Sequence, residues 1–357
     1  MKTVKLGDVA AYQTTKVPVI ENLSDRYVTT ENLQPNKNGV VFPASSFPAE
    51  GNINVYHTND ILISNIRPYF KKIWQAKFDG THSTDVLNIR TITPQLTQDY
   101  LYFILSDNAF FDYVTATAKG TKMPRGDKEA IMQYEFNLPS IDTQQKISSI
   151  GFMIENKISI NKSINDNLVE LAITMFKEMF PRIQYGDNQI GDYIVPKRGK
   201  NLTSKNAVIG KIPVIAGGLS PATWHNKANT KKPVITISAS GANAGFVNLW
   251  TIPVWSSDSA YIDSTMTDTP YFWYIMLKVR QSEIFDLQTG SAQPHIYPKH
   301  IAGLSTIKLT LANMRKYEDR VAPLFDKYAS NLSEINTLSN LRDTLLPKLL
   351  NGEIELN

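Results

Sequence analysis

The chain has 357 residues, of which 42% are hydrophobic and 20% are charged, and it contains no cysteine. This composition excludes a wholly disordered chain, disulfide bridges and thiolate metal sites, and the length favours about two domains. The net charge of +4 is uneven, because residues 181–312 carry 13 basic and 7 acidic side chains whereas residues 1–142 carry 14 and 15. No apolar run reaches the roughly 18 residues that cross a bilayer, and the start of the chain has no signal-peptide core, so we expect a cytoplasmic protein.

The first half of the chain begins with strands and continues with helices. Short apolar runs at residues 60–64 and 86–89 predict strands, and glycines separate such runs from one another. Aromatic residues at helical spacing over residues 98–116 predict a helix. A loop rich in lysine and glycine follows at residues 119–126, and residues 134–138 predict a last strand.

The second half repeats this order. Leu6-Gly7-Asp8 returns as Ile190-Gly191-Asp192, an offset of 184, and further along the chain the offset settles at 170. Pairs at the offset of 170 include Gly120 with Gly290, Pro124 with Pro294, Ile131 with Ile301 and Thr174 with Thr344. Similar order at low identity indicates one fold used twice with different surface chemistry.

The repeat predicts an α+β protein with two similar globular domains of mixed β-sheet and helices. These domains, residues 1–142 and 181–312, are separated by two long antiparallel coiled-coil helices, residues 143–180 and 313–357, related by a pseudo-two-fold axis. Two such modules in one chain present two similar surfaces, which is the arrangement needed to recognise a two-part target.

The two long helices carry apolar residues at a spacing of three and four, typical of helix-on-helix packing. Gly151 and Pro323 occupy nearly matching places, so we expect a kink or a fresh start there. Asn161 and Asn331 fall on matching positions of the two helices. They are either buried amides that set the register of the helix pair or solvated surface amides. The predicted pairing residues are Ile154, Asn161, Ile164, Leu168 and Leu171 on the first helix and Leu324, Asn331, Leu338, Leu341 and Leu345 on the second.

No catalytic or metal-binding motif stands out in the sequence. Phosphate-binding glycine loops and the zinc motif with two histidines on one helix are missing, and the five histidines are scattered. Asp85 and Asp258 recur in both repeats, where a hydrogen-bonding role in a turn is favoured over catalysis. We therefore expect no catalytic residues, no metal and no cofactor in this chain.

The side chains that remain as candidates for a functional site are basic, aromatic and amide groups on loops. Lysine and arginine position a protein on DNA phosphates, while Arg, Asn, Gln and Ser pair with base edges. The alternative for each loop is an ordinary solvated connection. The candidate DNA-binding residues are Arg67, Tyr69, Lys71, Lys72, Lys119, Gly120, Thr121, Lys122, Arg125, Lys197, Arg198, Lys200, Lys231, Lys232, Ser240, Asn243, Ser291, Gln293 and His295.

Several short motifs in this order resemble the specificity subunit of Type I restriction-modification systems. Leu6-Gly7-Asp8-Val9 and Ile190-Gly191-Asp192-Tyr193 open the two repeats. Asn137-Leu138-Pro139 and Gln144-Gln145-Lys146-Ile147 lead into the first long helix. The run Leu341-Arg342-Asp343-Thr344-Leu345-Leu346-Pro347-Lys348-Leu349-Leu350-Asn351-Gly352-Glu353-Ile354 closes the second.

This resemblance implies a non-catalytic subunit in which each domain recognises one half of a bipartite DNA site. It also implies that the helices set the unread spacer and dock two adenine methyltransferase subunits, and that restriction and translocation subunits join the complex. S-adenosylmethionine, ATP and Mg²⁺ would then belong to those partners. A single-chain methyltransferase or nuclease, and a scaffold that binds only protein, remain the alternatives.

Overall fold

The computed structural model describes residues 2–290 and 293–356. The chain divides into two compact units, with residues 1–159 and 336–357 in unit 1 and residues 160–335 in unit 2. Each unit contains one globular region and a part of both long helices. The predicted α+β class is confirmed, and the two units are described separately.

Unit 1 is built from two small sheets and short helices. β2, β9, β6 and β7 form an antiparallel sheet in that order, β3, β5, β8 and β4 form a mixed sheet, and β1 pairs with β10. The strands are β1 (Lys2–Lys5), β2 (Ala10–Tyr12), β3 (Lys16–Pro18), β4 (Tyr27–Val28), β5 (Asn52–Tyr56), β6 (Ile61–Ser64), β7 (Ile73–Gln75), β8 (Gly80–His82), β9 (Val86–Thr91) and β10 (Glu135–Leu138). The helices are α1 (Leu6–Val9), α2 (Gln98–Ser106), α3 (Asn108–Ala116), α4 (Lys128–Met132) and the start of the long helix α5 (Ile141–Met179).

Unit 2 repeats the main sheet of unit 1. Its order β12-β18-β15-β16, antiparallel throughout, corresponds to β2-β9-β6-β7, while β11 pairs with β19 as β1 pairs with β10. The strands are β11 (Asn188–Gln189), β12 (Lys197–Arg198), β13 (Ile212–Ile215), β14 (Thr223–His225), β15 (Val234–Ser238), β16 (Val247–Trp250), β17 (Trp255–Ser256), β18 (Ser259–Asp263) and β19 (Ser305–Thr306). The helices are α6 (Pro270–Val279), α7 (Gln281–Asp286), α8 (Pro298–Ala302) and the long helix α9 (Leu311–Leu350).

The smaller sheets of the two units differ. In unit 1 β5 pairs with β8 antiparallel, whereas in unit 2 β13 pairs with β17 parallel. The aromatic-rich helices α2 and α6 are core elements in both units, as the sequence predicts, since Tyr100, Phe103, Phe272 and Trp273 are buried. The repeat therefore holds for the main sheet and its covering helix, and varies outside them.

Within unit 2 the two long helices run antiparallel. Asn161 Nδ2 donates to Glu334 Oε2 at 2.8 Å and Asn331 Nδ2 donates to Asn165 Oδ1 at 2.8 Å. Further along, the Tyr317 hydroxyl donates to the Ala172 carbonyl at 2.7 Å. Residue numbers thus rise along α5 as they fall along α9, and both predicted asparagines are buried, Asn331 fully.

Within unit 1 the start of α5 and the end of α9 share one core. Ile147 lies in the same buried cluster as Leu346 and Leu349. Gly151 causes no break in α5, and a Cβ there would lie 2.4 Å from Cζ of the Phe103 ring. Neither helix makes a fresh start at these places: Gly151 allows a close approach to α2, and α9 likewise continues through Pro323. Among the residues described, no helix is both long and apolar enough to span a membrane.

Two of the predicted pairing leucines lie outside the helix seam. Leu171 is 48% exposed and Leu341 is 45% exposed, whereas Ala172 is fully buried. Ala172 follows the buried Asn165 by seven residues, so the seven-residue repeat of the seam brings Ala172 and not Leu171 to the partner helix. The remaining predicted positions are half-buried, namely Ile164, Leu168, Leu324, Leu338 and Leu345.

Glu318 on α9 caps the start of α6 and gives unit 2 a pH dependence. Its carboxylate accepts from the Tyr271 amide at 3.1 Å and from the Phe272 amide at 2.8 Å. Burial raises the pKa of Glu318 from 4.5 to about 7. Because the folded pKa lies above the unfolded one, this group stabilises the fold fully below pH 4.5, and that stabilisation is lost as the pH rises through about 7.

We expect Glu318→Gln to remove up to about 3 kcal/mol of this pH dependence in the free energy of unfolding. The measurement is denaturant unfolding of wild type and variant at a series of pH values from 4.5 to 7.5. Glu178→Gln, at an exposed position of α5, is the matched control and should keep the wild-type slope. An unchanged slope in Glu318→Gln would contradict the assignment.

Candidate nucleic-acid interface

The turn between β6 and β7 in unit 1, residues 65–72, contains left-handed backbone at two residues that are not glycine. Arg67 has φ 51° and Lys71 has φ 52°. Within the turn the Phe70 amide donates to the Arg67 carbonyl at 3.0 Å, and the Lys71 amide donates to the Pro68 carbonyl at 2.8 Å. We refer to these residues as the β6–β7 turn.

The loop at residues 119–126 lies against this turn. The Arg67 amide donates to the Pro124 carbonyl at 2.8 Å. Lys119 and Arg125 close the loop by exchanging backbone hydrogen bonds of 2.8 and 2.9 Å. The fold therefore brings Arg67 and the basic loop, which lie more than fifty residues apart in sequence, to one surface.

Unit 2 builds the same frame with other residues. In its β15–β16 turn, residues 239–246, Gly241 has φ 82° and Gly245 has φ 89°. The Gly241 amide donates to the Pro294 carbonyl at 3.0 Å, just as the Arg67 amide donates to that of Pro124. The two turns correspond at an offset of 174, so Arg67 matches Gly241.

The second loop also copies the first, at an offset of 170. Thr289 and His295 exchange backbone hydrogen bonds of 3.0 and 2.8 Å, and Gly290 has the same φ of 93° as Gly120. Of the residues predicted in this loop, Gln293 and His295 lie beside the β15–β16 turn, while Ser291 lies outside the described residues. Each unit thus offers one turn and one loop as a common surface.

The two turns place different residues at their left-handed positions. Left-handed backbone costs a residue with a Cβ about 1 kcal/mol or more, and glycine avoids that cost. Unit 2 places glycine at both corresponding positions, which are Gly241 and Gly245. Unit 1 keeps two long basic side chains, Arg67 and Lys71, at these positions despite that cost.

The exposed residues of the two surfaces differ in polarity. In unit 1 they include Tyr69, Phe70 and Met123, which are 47%, 38% and 49% exposed. Asn243 and Gln293 occupy the places that match Tyr69 and Met123. Met123 and Phe70 were not among the predicted site residues, although the pairing of Met123 with Gln293 at the offset of 170 would have identified the first.

Carboxylates accompany three of the basic residues at the unit 1 surface, namely Lys71, Lys119 and Arg125. Lys119 Nζ lies 2.5 Å from Asp127, and this contact raises the pKa of Lys119 and lowers the pKa of Asp127. Arg125 lies 3.2 Å from Asp85. These pairs reduce the positive field that a phosphate would meet, while Thr121 and Lys122 stay exposed.

The two lysines of the β6–β7 turn are held by the protein. Lys71 Nζ donates to Asn108 Oδ1 at 2.9 Å and lies 4.0 Å from Asp112. Lys72 Nζ donates to the Thr30 carbonyl, and partial burial lowers the pKa of Lys72. Of the turn cations, Lys71 lies near a carboxylate, whereas Arg67 and Lys72 show no ion pair among the described residues.

The basic residues of unit 2 divide between two ends of its sheet. Arg198 pairs with Ala260 next to the end of β15 that leads into the turn. Lys197, Arg198 and Lys200 therefore lie near the same end of the sheet as the β15–β16 turn. Lys231 and Lys232 precede the other end of β15, roughly 13 Å away along the strand. In the turn itself, the Ser240 hydroxyl donates to Asp258.

The described part of the chain, residues 2–290 and 293–356, contains no group of three His, Asp or Glu side chains placed to hold a metal ion. The hydrogen-bonding groups at the two surfaces are instead amides, hydroxyls, lysines and arginines. These groups suit contacts to phosphates and base edges.

Three comparisons place the chain among known proteins. Residues 1–170 match the family model described as the Type I restriction modification DNA specificity domain. The chain is 24% identical over 311 residues to the Type I restriction enzyme MjaIX specificity subunit of Methanocaldococcus jannaschii, which covers 75% of this chain and 72% of the relative. It is 21% identical over 399 aligned positions to the HindI specificity subunit of Haemophilus influenzae, with 83% and 86% covered.

A solved structure shares the fold. The crystal structure of the Type I restriction-modification system S subunit from M. genitalium matches with a TM-score of 0.56 at 17% identity. The match covers 100% of this chain and 96% of that one. At this identity the likeness establishes the fold of the chain.

Proposed function

Because the chain belongs to the family of Type I restriction-modification specificity subunits, we propose that it selects the DNA sequence on which its partner subunits act. Each unit recognises one half of a bipartite site with its turn and its loop. The chain carries out no catalysis itself. The assembled complex methylates adenine and, with its restriction subunits, cleaves DNA.

One observation carries this proposal: the two units repeat the same backbone frame while the side chains on it differ. The hydrogen bond from Arg67 to Pro124 recurs from Gly241 to Pro294, yet Tyr69 and Met123 are replaced by Asn243 and Gln293. A constant frame with variable side chains is the expected form of two readers of different sequences. Amide side chains pair well with adenine, and arginine pairs with guanine.

The partners follow from the same proposal. We propose that two methyltransferase subunits dock on the long helices, and that restriction and translocation subunits join them on DNA in the cytoplasm. S-adenosylmethionine, ATP and Mg²⁺ are then cofactors of those partners. The lengths of α5 and α9 set the unread spacer of the DNA site.

The test is a map of methylated adenines in cells that express this chain with its methyltransferase partner. We expect one motif with two short specified parts and an unspecified spacer of constant length. A continuous motif, or methylation without sequence preference, would contradict the proposal. The purified chain alone, incubated with DNA and labelled methyl donor, should incorporate no label; incorporation would identify an enzyme instead.

Substitution of Arg67 separates its chemistry from its backbone strain. Arg67→Ala removes the guanidinium but keeps a Cβ in left-handed backbone, whereas Arg67→Gly removes both. We expect the glycine variant to be more stable than the alanine variant by about 1 kcal/mol. Both should lose selectivity in one half of the DNA site, with the other half unchanged.

Thermal unfolding and selection from a random duplex library measure the two effects. If both variants keep the wild-type sequence preference, Arg67 is not a reader. Equal stability of the two variants would show that the left-handed backbone at residue 67 carries no strain.

A further inference from the structure

Unit 1 exposes three large apolar side chains at the surface where its turn and loop meet. Tyr69, Phe70 and Met123 are 47%, 38% and 49% exposed. Tyr69 and Phe70 follow Arg67 in the β6–β7 turn, and Met123 precedes Pro124, whose carbonyl accepts from the Arg67 amide. These three residues, here called the apolar tip, belong to one hydrogen-bonded frame.

The backbone beneath the apolar tip is held in place. The Asn36 amide donates to the Phe70 carbonyl at 2.8 Å, and the Lys37 amide donates to the Lys71 carbonyl at 2.9 Å. The rings of Tyr69 and Phe70 lie close to each other, with centroids 4.7 Å apart. The two exposed rings are therefore presented by an ordered turn, so little conformational freedom is lost when they bind.

Unit 2 shows that the frame itself does not require apolar residues here. Asn243 and Gln293 stand at the places of Tyr69 and Met123, and Ala244 stands at the place of Phe70. The bond from the Ala244 amide to the Gly241 carbonyl, the bond to the Pro294 carbonyl and the closing bonds of the loop form with these smaller or polar residues, whereas the Gly245 amide donates to Ser238. The apolar tip of unit 1 is thus an addition to the frame.

The surroundings of the apolar tip identify its occupant. Lys71, Lys119 and Arg125 belong to the same turn and loop, and each lies beside a carboxylate. Arg67 and the exposed Lys122 show no ion pair among the described residues, and their charge favours a phosphate-bearing partner over a neutral protein surface. Several of these cations are already paired with carboxylates, so phosphate contacts alone give limited affinity. Aromatic and methionine side chains supply the missing contact when they insert between stacked bases.

We propose that the apolar tip enters one base step in the half-site recognised by unit 1 and partly unstacks it. Tyr69 and Phe70 then replace the stacking neighbour that the base loses, and Met123 fills the space beside it. Unit 2, with amides at the corresponding places, leaves its half-site stacked. This inference rests on the proposed function, because it assumes that the turn and loop contact DNA.

The test uses the full chain in complex with its methyltransferase subunits. Duplexes are first enriched from a random library, and 2-aminopurine is then placed at each position of both half-sites of the enriched sequence. We expect 2-aminopurine fluorescence to rise about threefold or more at one step, in the half-site whose preference Arg67→Ala relaxes. The double variant Tyr69→Ala/Phe70→Ala should return that signal to the level of free duplex and weaken binding about tenfold or more.

Matched variants separate stacking from other roles. Tyr69→Phe keeps the ring and should keep the fluorescence signal. Ile92→Ala, which removes an exposed apolar side chain at the end of β9 away from the turn, should leave that signal unchanged. Thermal unfolding of the double alanine variant should show one cooperative transition above the temperature of the binding assay, which establishes that the variant is folded. A wild-type complex that binds its duplex without any rise in fluorescence would overturn the proposal that the apolar tip enters a base step.

Two further outcomes distinguish the inference from its premise. Failure of the complex to enrich any sequence would overturn the proposed function, and with it the proposal that the apolar tip enters a base step. In the other outcome the complex enriches a sequence, and the double alanine variant loses its methyltransferase partner but keeps the fluorescence signal. That result would overturn only the insertion into a base step and would assign the apolar tip to a protein contact.

Discussion

Replacing Asn331 with alanine is expected to lower the free energy of unfolding by about 2 kcal/mol. Asn331 Nδ2 donates to Asn165 Oδ1 at 2.8 Å between α9 and α5, and both side chains are buried. The substitution leaves the Asn165 oxygen buried without that donor, which costs more than the loss of an exposed hydrogen bond. Denaturant unfolding measures the change, with Asn167→Ala, an exposed position on α5, as the control.

A double-mutant cycle of Asn165→Ala and Asn331→Ala tests whether the two amides act as a pair. We expect a coupling energy of about 1 kcal/mol or more, because either single variant already breaks the bond. Additive effects, or an Asn331→Ala variant no less stable than Asn167→Ala, would show that the pair does not stabilise the helix seam.

Removal of the two amides at the surface of unit 2 is expected to have the largest effect on sequence selection. Asn243→Ala/Gln293→Ala should reduce discrimination in one half of the DNA site by about tenfold or more for each lost amide contact. Affinity for duplexes changed in that half should approach affinity for the original site. Competition binding with duplexes substituted one base pair at a time measures this loss.

Lys231→Ala is the control for this experiment. Lys231 precedes the end of β15 that is remote from the turn, so any phosphate contact it makes carries no sequence information. We expect it to weaken binding to all duplexes equally, with no change in preference. Loss of preference in Lys231→Ala, together with normal preference in the double variant, would contradict the assignment of the site.

The repeat made much of the fold predictable from the sequence. The offset of 170 that pairs Gly120 with Gly290 also pairs Lys119 with Thr289 and Arg125 with His295, and the structure shows matching backbone hydrogen bonds at both places. Both loops close with the same backbone hydrogen bonds beside a glycine at the same left-handed φ, because local geometry determines these features.

The β6–β7 turn shows why part of the site was not predictable. Its left-handed residues are Arg67 and Lys71, and neither residue type indicates such backbone, whereas Gly241 and Gly245 in unit 2 do. The turn is stabilised by hydrogen bonds to residues distant in sequence, such as that from Arg67 to Pro124. Only the folded chain brings these groups together.

The helix seam and the basic residues show a second limit. Apolar residues on a long helix fit more than one register, so Leu171 was predicted in the seam although Ala172 lies there. Lysine charge is visible in a sequence, but its partner is not: Lys72 donates to the Thr30 carbonyl and Lys119 pairs with Asp127. Tertiary contacts decide which cations remain available to a ligand.

The central claim is that two similar modules in one chain recognise separate halves of a DNA site. Its most direct test is to map methylated adenines in cells that carry the Arg67→Ala chain and, in parallel, the Gln293→Ala chain, each with the methyltransferase partner. The account predicts that each variant relaxes one half of the motif and that the two variants relax opposite halves. If both variants relax the same half, or neither changes the motif, the account is wrong.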